Sequence, residues 1–189
     1  MSAYLEFMAF QRDTEALGQV AGRLGWDQET MMPEGATPQR AEEHAAMASI
    51  LHARRIDPRV GDWLAKAEAA DDVAAANLRH IRRSFERTAK VPARLAAELA
   101  RTTSLAHRTW AQSRADEDVA SFLPVLQNVV DLRKQEASAI AGDTDPYDAL
   151  LDDYEPGATG DSIGAMFANL RPRLVALRAA ILDRPAPAA

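Results

Sequence analysis

Nowhere along this sequence do β-branched or aromatic residues alternate with polar ones for the length of a strand, the pattern that a half-buried strand requires. Without it no sheet forms, and apolar surface can be buried only by packing helices together. Alanine fills 39 of the 189 positions, and Ala, Leu, Arg, Glu and Gln all lose little side-chain entropy in a helix. The expected fold class is all-α, a multi-helix bundle. Hydrophobic residues make up 47% of the chain, enough for a real core at a length that buries roughly 70% of the unfolded surface. One domain, or one and a fraction, fits that length.

Punctuation divides the chain into helices. Ser2 is placed to cap a first helix, and Leu5, Met8, Ala9, Leu17, Val20, Ala21 and Leu24 give it an apolar stripe up to Gly25, which stops it. From Trp26 to Gly35 there is no helical period and the segment ends in turn formers, which predicts an ordered connector. Thr37-Pro38 and Asp57-Pro58 each read as an N-cap followed by a first-turn proline, opening helices to about His52 or Arg55 and to about Ala69. A helix from Asp71 or Asp72 to about Ala89 comes next, and Val91-Pro92 separates it from one that runs to about Arg114. After the break at Asp116-Glu117-Asp118, Ser121 can cap a helix with Pro124 in its first turn, and Gly142 ends it. Pro146 to Asp152 gives a short helix and Tyr154-Glu155-Pro156-Gly157 a tight turn. Thr159 or Asp161 then starts a last helix to about Asp183, which Pro172 should kink. Residues 1–183 thus read as one helical domain and residues 184–189 as a Pro/Ala linker or tail.

Composition excludes several classes of function. The formal charge is −6 and the isoelectric point is near 5.2, a balance that repels phosphate backbones, so no nucleic-acid partner is expected. No apolar run is long enough to cross a membrane, and the first residues lack the basic patch and apolar core of a secretion signal. Cysteine is absent, which removes disulfides, thiolate zinc sites and thiol chemistry. A cytoplasmic protein is the default expectation.

Catalytic chemistry is hard to find. A helix offers metal ligands from a His with a second His or carboxylate one turn away. His44, His52, His80 and His107 all lack such a neighbour at three or four residues in either direction. His44 and His52 share a face but lie about 12 Å apart at 1.5 Å per residue, too far to share one ion. There is no nucleophile elbow and no glycine-rich phosphate loop. The acidic pairs Glu42-Glu43, Asp71-Asp72 and Asp152-Asp153 are adjacent in sequence, so they point apart on a helix and suit caps or solvated faces. Arg79, Arg82 and Arg83 beside His80 suit a charged helix face. Two polar-aromatic clusters are more pointed, Trp26 to Gly35 and Asp145 to Gly157. Their plain structural reading has Trp26 and Tyr147 plugging gaps between helices while Asp27, Asp148 and Glu155 cap backbone or pair with Arg.

Those two clusters also carry a resemblance. Leu24-Gly25-Trp26-Asp27-Gln28-Glu29-Thr30-Met31-Met32-Pro33 with Arg40, and Pro146-Tyr147-Asp148-Ala149-Leu150-Leu151-Asp152-Asp153-Tyr154-Glu155-Pro156-Gly157, resemble the N-terminal signatures of the carboxypeptidase Taq family of metallocarboxypeptidases. Phe122-Leu123-Pro124-Val125-Leu126 lies between them in the matching order. The resemblance implies an all-helical, cytoplasmic, homodimeric enzyme that removes single amino acids from peptide C-termini with zinc or cobalt. Members of that family carry a His-Glu-x-x-His helix whose two His hold the metal and whose Glu activates water, with a further Glu ligand downstream. This sequence has no His-Glu dipeptide.

The resemblance therefore implies the N-terminal, cleft-wall and lid portion of such an enzyme, with peptide as the substrate of the whole. By itself it is expected to be inactive and to hold no cofactor. Trp26, Asp27, Arg40, Tyr147, Asp148, Asp152, Tyr154 and Glu155 are the positions that match family motifs and could line the cleft, and no catalytic or metal-binding residue is assigned. Two other readings stand beside this one. The chain could be a free-standing helical module that binds a protein or peptide, or a small enzyme with a site assembled from His44, His52 and Glu155. Apolar surface left open by an absent catalytic part would drive self-association, so a homo-oligomer is expected.

Overall fold

Ser2 accepts a hydrogen bond from the Leu5 amide and so opens the first helix, α1, Ala3–Thr30. The computed structural model describes residues 2–184, among which there is no strand. A 3₁₀ turn at Glu34–Ala36 follows α1, and then come α2 (Thr37–Arg55), α3 (Pro58–Lys66), α4 (Asp72–Lys90) and α5 (Ala93–Ala115). The last three are α6 (Val119–Ala141), α7 (Pro146–Leu151) and α8 (Gly160–Leu182). The protein is all-α. Of the Pro/Ala tail expected at 184–189, residues 185–189 lie outside the described residues. The chain divides into two compact units, Met1–Ile140 and Ala141–Ala189.

Three boundaries differ from the sequence reading. Gly25 does not stop α1. A glycine inside a helix costs about 1 kcal/mol relative to alanine, and the contacts that α2 and α5 make with the last turns of α1 outweigh it. The helix ends at Thr30, where the Met31 and Met32 amides both return to the Asp27 carbonyl and Pro33 follows. Trp26, Asp27 and Gln28 therefore stand on a helix and not in a connector. At α2 the N-cap is Ala36, because the 3₁₀ turn runs straight into the helix and the Thr37 hydroxyl donates to the Glu34 carbonyl at 2.9 Å. At α6 the Asp118 carboxylate accepts the Ser121 amide at 3.2 Å, so the helix starts at Val119 and Pro124 lies past its first turn. Asp57 caps as expected, Asp71 and Thr159 are the caps among the alternatives at their helix starts, and Asp145, which the sequence reading did not name as a cap, opens α7.

In the first unit, α2 lies closest to α5. Ala41 and Ala45, both buried and one turn apart, let the two backbones approach. The apolar core proper joins α1, α3 and α4 around Phe7, Val60 and Leu64. Phe7 was absent from the stripe expected on α1, whereas Leu5 and Val20 from that stripe are exposed. The reason is tertiary: Trp63 of α3 stacks on Phe7 at 5.3 Å and packs against Phe10 at 5.4 Å, so the neighbouring helix and not the local stripe decides that this face of α1 is covered. In the second unit, α7 and α8 carry no buried residue, and α8 runs unbroken through Pro172.

Candidate functional site

Arg40 organises the first polar cluster. Its Nη1 donates to the Leu24 carbonyl at 2.5 Å, Nη2 to Asp27 Oδ2 at 2.5 Å and Nε to Glu43 Oε2 at 2.8 Å. A guanidinium is planar with donors fixed in a fork, so one side chain can bridge a carbonyl and two carboxylates at once. Its hydrogen bond with Asp27 raises the Arg40 pKa further above its already high ordinary value, and Glu43 adds to this. The cation also sits by the C-terminal turns of α1, where the helix dipole favours positive charge. Asp27 and Arg40 thus clamp α1 to α2.

Gln28 of the same motif stretch, with Glu42 and Glu34 outside it, extends the clamp to α5. Ser104 Oγ donates to Gln28 Oε1 at 2.6 Å, and Gln28 Nε2 returns a bond to the Ser104 carbonyl at 3.4 Å. Arg101 pairs with Glu42 at 2.7 Å and Arg108 with Glu34 at 2.6 Å. In both pairs hydrogen bonding to the arginine holds the glutamate below the usual carboxylate range. Partners 59 and 76 residues apart leave no helical spacing signal, so nothing in the sequence could have paired them. Trp26, one residue from Asp27, is 63% exposed and is not the gap filler that the plain structural reading expected.

The second cluster is a set of carboxylates on backbone amides. Asp145 Oδ1 accepts the Tyr147 amide at 2.7 Å and opens α7. Asp148 Oδ1 accepts the Gly160 amide at 2.7 Å, tying α7 to the start of α8. Asp152 Oδ1 accepts the Gly157 amide at 2.9 Å, closing a turn in which Gly157 takes φ +83°, a conformation that favours glycine. Glu155 lends its carbonyl to the Ala158 amide at 3.0 Å. Tyr147 and Tyr154 are exposed, so Tyr147, like Trp26, fills no gap.

Two imidazoles, His44 and His52, line a groove of about 560 Å³ in the first unit, with Arg55 and Glu136 also on its walls. His52 is buried and its Nε2 bonds the Val91 carbonyl at 2.6 Å. Because a carbonyl only accepts, Nε2 carries the proton. Burial pushes the His44 pKa down, and the Arg40 charge pushes it the same way against a smaller opposing effect of Glu43. His107 packs against Trp110 at 5.7 Å. Among the described residues no three His, Asp or Glu side chains come together as metal ligands. The two imidazoles of this groove make no metal site by themselves, since the Arg40 guanidinium stands near His44 and no third ligand gathers with them among the described residues.

Fold and clusters define an all-helical protein in which carboxylates, guanidinium groups and one glutamine tie helix ends and turns together. A sequence profile of the carboxypeptidase Taq (M32) metallopeptidases matches residues 6–189, and the chain belongs to that family. It is 39% identical over 198 aligned residues to thermostable carboxypeptidase 1 of Thermus thermophilus, a match that covers 97% of this chain and 38% of that protein. Against thermostable carboxypeptidase 1 of Pyrococcus furiosus the identity is 29%, over 94% of this chain and 36% of the relative. The solved structure of Pyrococcus furiosus carboxypeptidase (Apo-Mg) is similar with a TM-score of 0.78 at 28% identity, over 97% of this chain and 37% of that one. The chain spans little more than a third of the length of these relatives.

Proposed function

We propose that this chain is the N-terminal part of a metallocarboxypeptidase, forming a wall and lid of the substrate cleft while the rest of the enzyme supplies the metal centre. The single observation that supports this is the family match across residues 6–189 in a chain whose described residues gather no metal-ligand cluster. On this reading the whole enzyme releases C-terminal amino acids from peptides with zinc or cobalt, works in the cytoplasm and assembles as a homodimer. Asp27, Arg40, Asp148 and Asp152 hold the wall in shape through the bonds described above. Trp26, Tyr147 and Tyr154, exposed members of the same motifs, are the side chains available to meet a peptide, and Glu155 belongs to the turn beside them.

The test is direct. The purified chain, supplied with zinc or cobalt, is expected to retain no stoichiometric metal by elemental analysis and to release no amino acid from a peptide. Tight metal uptake accompanied by release of C-terminal residues would overturn the proposal. The alternative is a free-standing helical module that binds protein or peptide, and the exposed apolar side chains of α8 are common to both readings. The reading frame beyond residue 189 separates the two, because only the first requires a His-Glu-x-x-His downstream.

A further inference from the structure

One buried imidazole has a nitrogen that the fold leaves unused. His52 is 6% exposed and its Nε2 donates to the Val91 carbonyl at 2.6 Å, which makes Nδ1 of the neutral ring a hydrogen-bond acceptor. Nδ1 has no partner among the described residues. Among those same residues no fully buried side-chain nitrogen or oxygen lacks a partner. Nδ1 therefore opens onto space, and the groove of about 560 Å³ is the space that His52 lines. Residues of α1, α2, α4, α5 and α6 form its walls, all within the first unit, so it is a gap between helices and not an outer helix face. Its volume lies in the range of small-molecule sites.

The charged groups on the walls select the ligand. Arg55 follows His52 by three residues on α2, which puts the two on one face, and its guanidinium makes no hydrogen bond or ion pair among the described residues. Arg87 also lines the groove but is already engaged. Glu136 of α6 gives Oε2 to Arg133 at 2.7 Å and leaves Oε1 without a partner among the described residues. A simple anion would satisfy Arg55 and set itself against Glu136, and a simple cation would do the reverse. A carboxylate beside an ammonium answers both, with the ammonium donating to His52 Nδ1. Met47, Leu51 and Val91 supply an apolar wall for a side chain. We propose that this groove binds a free α-amino acid with a large apolar side chain, its carboxylate on Arg55 and its ammonium between His52 Nδ1 and Glu136. Such a site needs only the first unit and goes beyond the peptidase reading.

The test follows the His52 imidazole by nitrogen NMR in the full 189-residue chain. Its resonances are assigned by their loss in His52→Gln, whose amide N–H can still donate to the Val91 carbonyl. L-phenylalanine at millimolar concentration is expected to shift the Nδ1 resonance upfield, as accepting a hydrogen bond does. It should bind about ten- to a hundredfold tighter than phenylpropanoate, which lacks the ammonium, or phenethylamine, which lacks the carboxylate. Arg55 is exposed, so Arg55→Gln should keep its helix content by circular dichroism and weaken phenylalanine binding by a similar factor. No shift with phenylalanine, equal binding of either analogue, or undiminished binding by Arg55→Gln would each overturn the proposal.

Discussion

Two residues of one motif have opposite physical standing. Arg40 keeps 12% of its side chain exposed and holds three acceptors, whereas Trp26 is mostly in water. Arg40→Ala is expected to destabilise the protein by about 2–3 kcal/mol, because the Leu24 carbonyl and the Asp27 carboxylate lose their partner together. Trp26→Ala is expected to cost about 1 kcal/mol or less, and urea unfolding of the two variants checks the contrast. If the proposed cleft role holds, Trp26→Ala will nonetheless alter peptide turnover in the whole enzyme. A pH effect belongs to His44, whose folded-state pKa lies below its ordinary 6.5. The unfolded chain then binds a proton that the folded chain resists. This contribution is neutral well above pH 6.5, and stability falls as the pH drops from there towards the folded value. His44→Gln should flatten that part of the stability profile, and denaturation curves measured across it will show whether it does.

At the scale of elements, helix ends carry the information. Arg59 hydrogen-bonds Asp57 and pulls its pKa down to about 2, so the cap of α3 stays charged far into acid. Between α5 and α6, Glu117 takes φ +55°, a left-handed conformation that costs a side chain about 1 kcal/mol. Glu117→Gly should therefore raise stability by about 0.5–1 kcal/mol, whereas Gly157→Ala, at φ +83°, should lower it by about 1–2 kcal/mol. Thermal unfolding of the pair tests both signs. The sequence announced several of these ends, since Asp57-Pro58, Asp71 and Thr159 cap by chemistry local to each residue. Gly25 misled because its helix-breaking tendency is weak. The signal that overrides it, a guanidinium on the Leu24 carbonyl, comes from 16 residues away.

At the scale of the molecule, burial is unevenly shared. The first unit contains the Phe7, Val60 and Leu64 core, while α7 and α8 bury nothing. An isolated helix with no packed face is marginal in water, so amides of α8 should exchange with deuterium in seconds in the isolated chain while those of α2 and α5 stay protected. Equal protection of α8 would show that some surface already covers it. Helical composition, the absence of strand alternation and the spacing of caps decided the fold class and most helix boundaries from the sequence alone, because these are interactions within a few residues. The two motif segments were legible as special for the same local reason. What they do was not: Arg40 on Asp27, Gln28 on Ser104, His52 on Val91 and Trp63 on Phe7 are contacts between residues far apart in the chain. Only the packing of helices brings those groups within reach, and periodicity along one helix carries no record of which neighbour will face it.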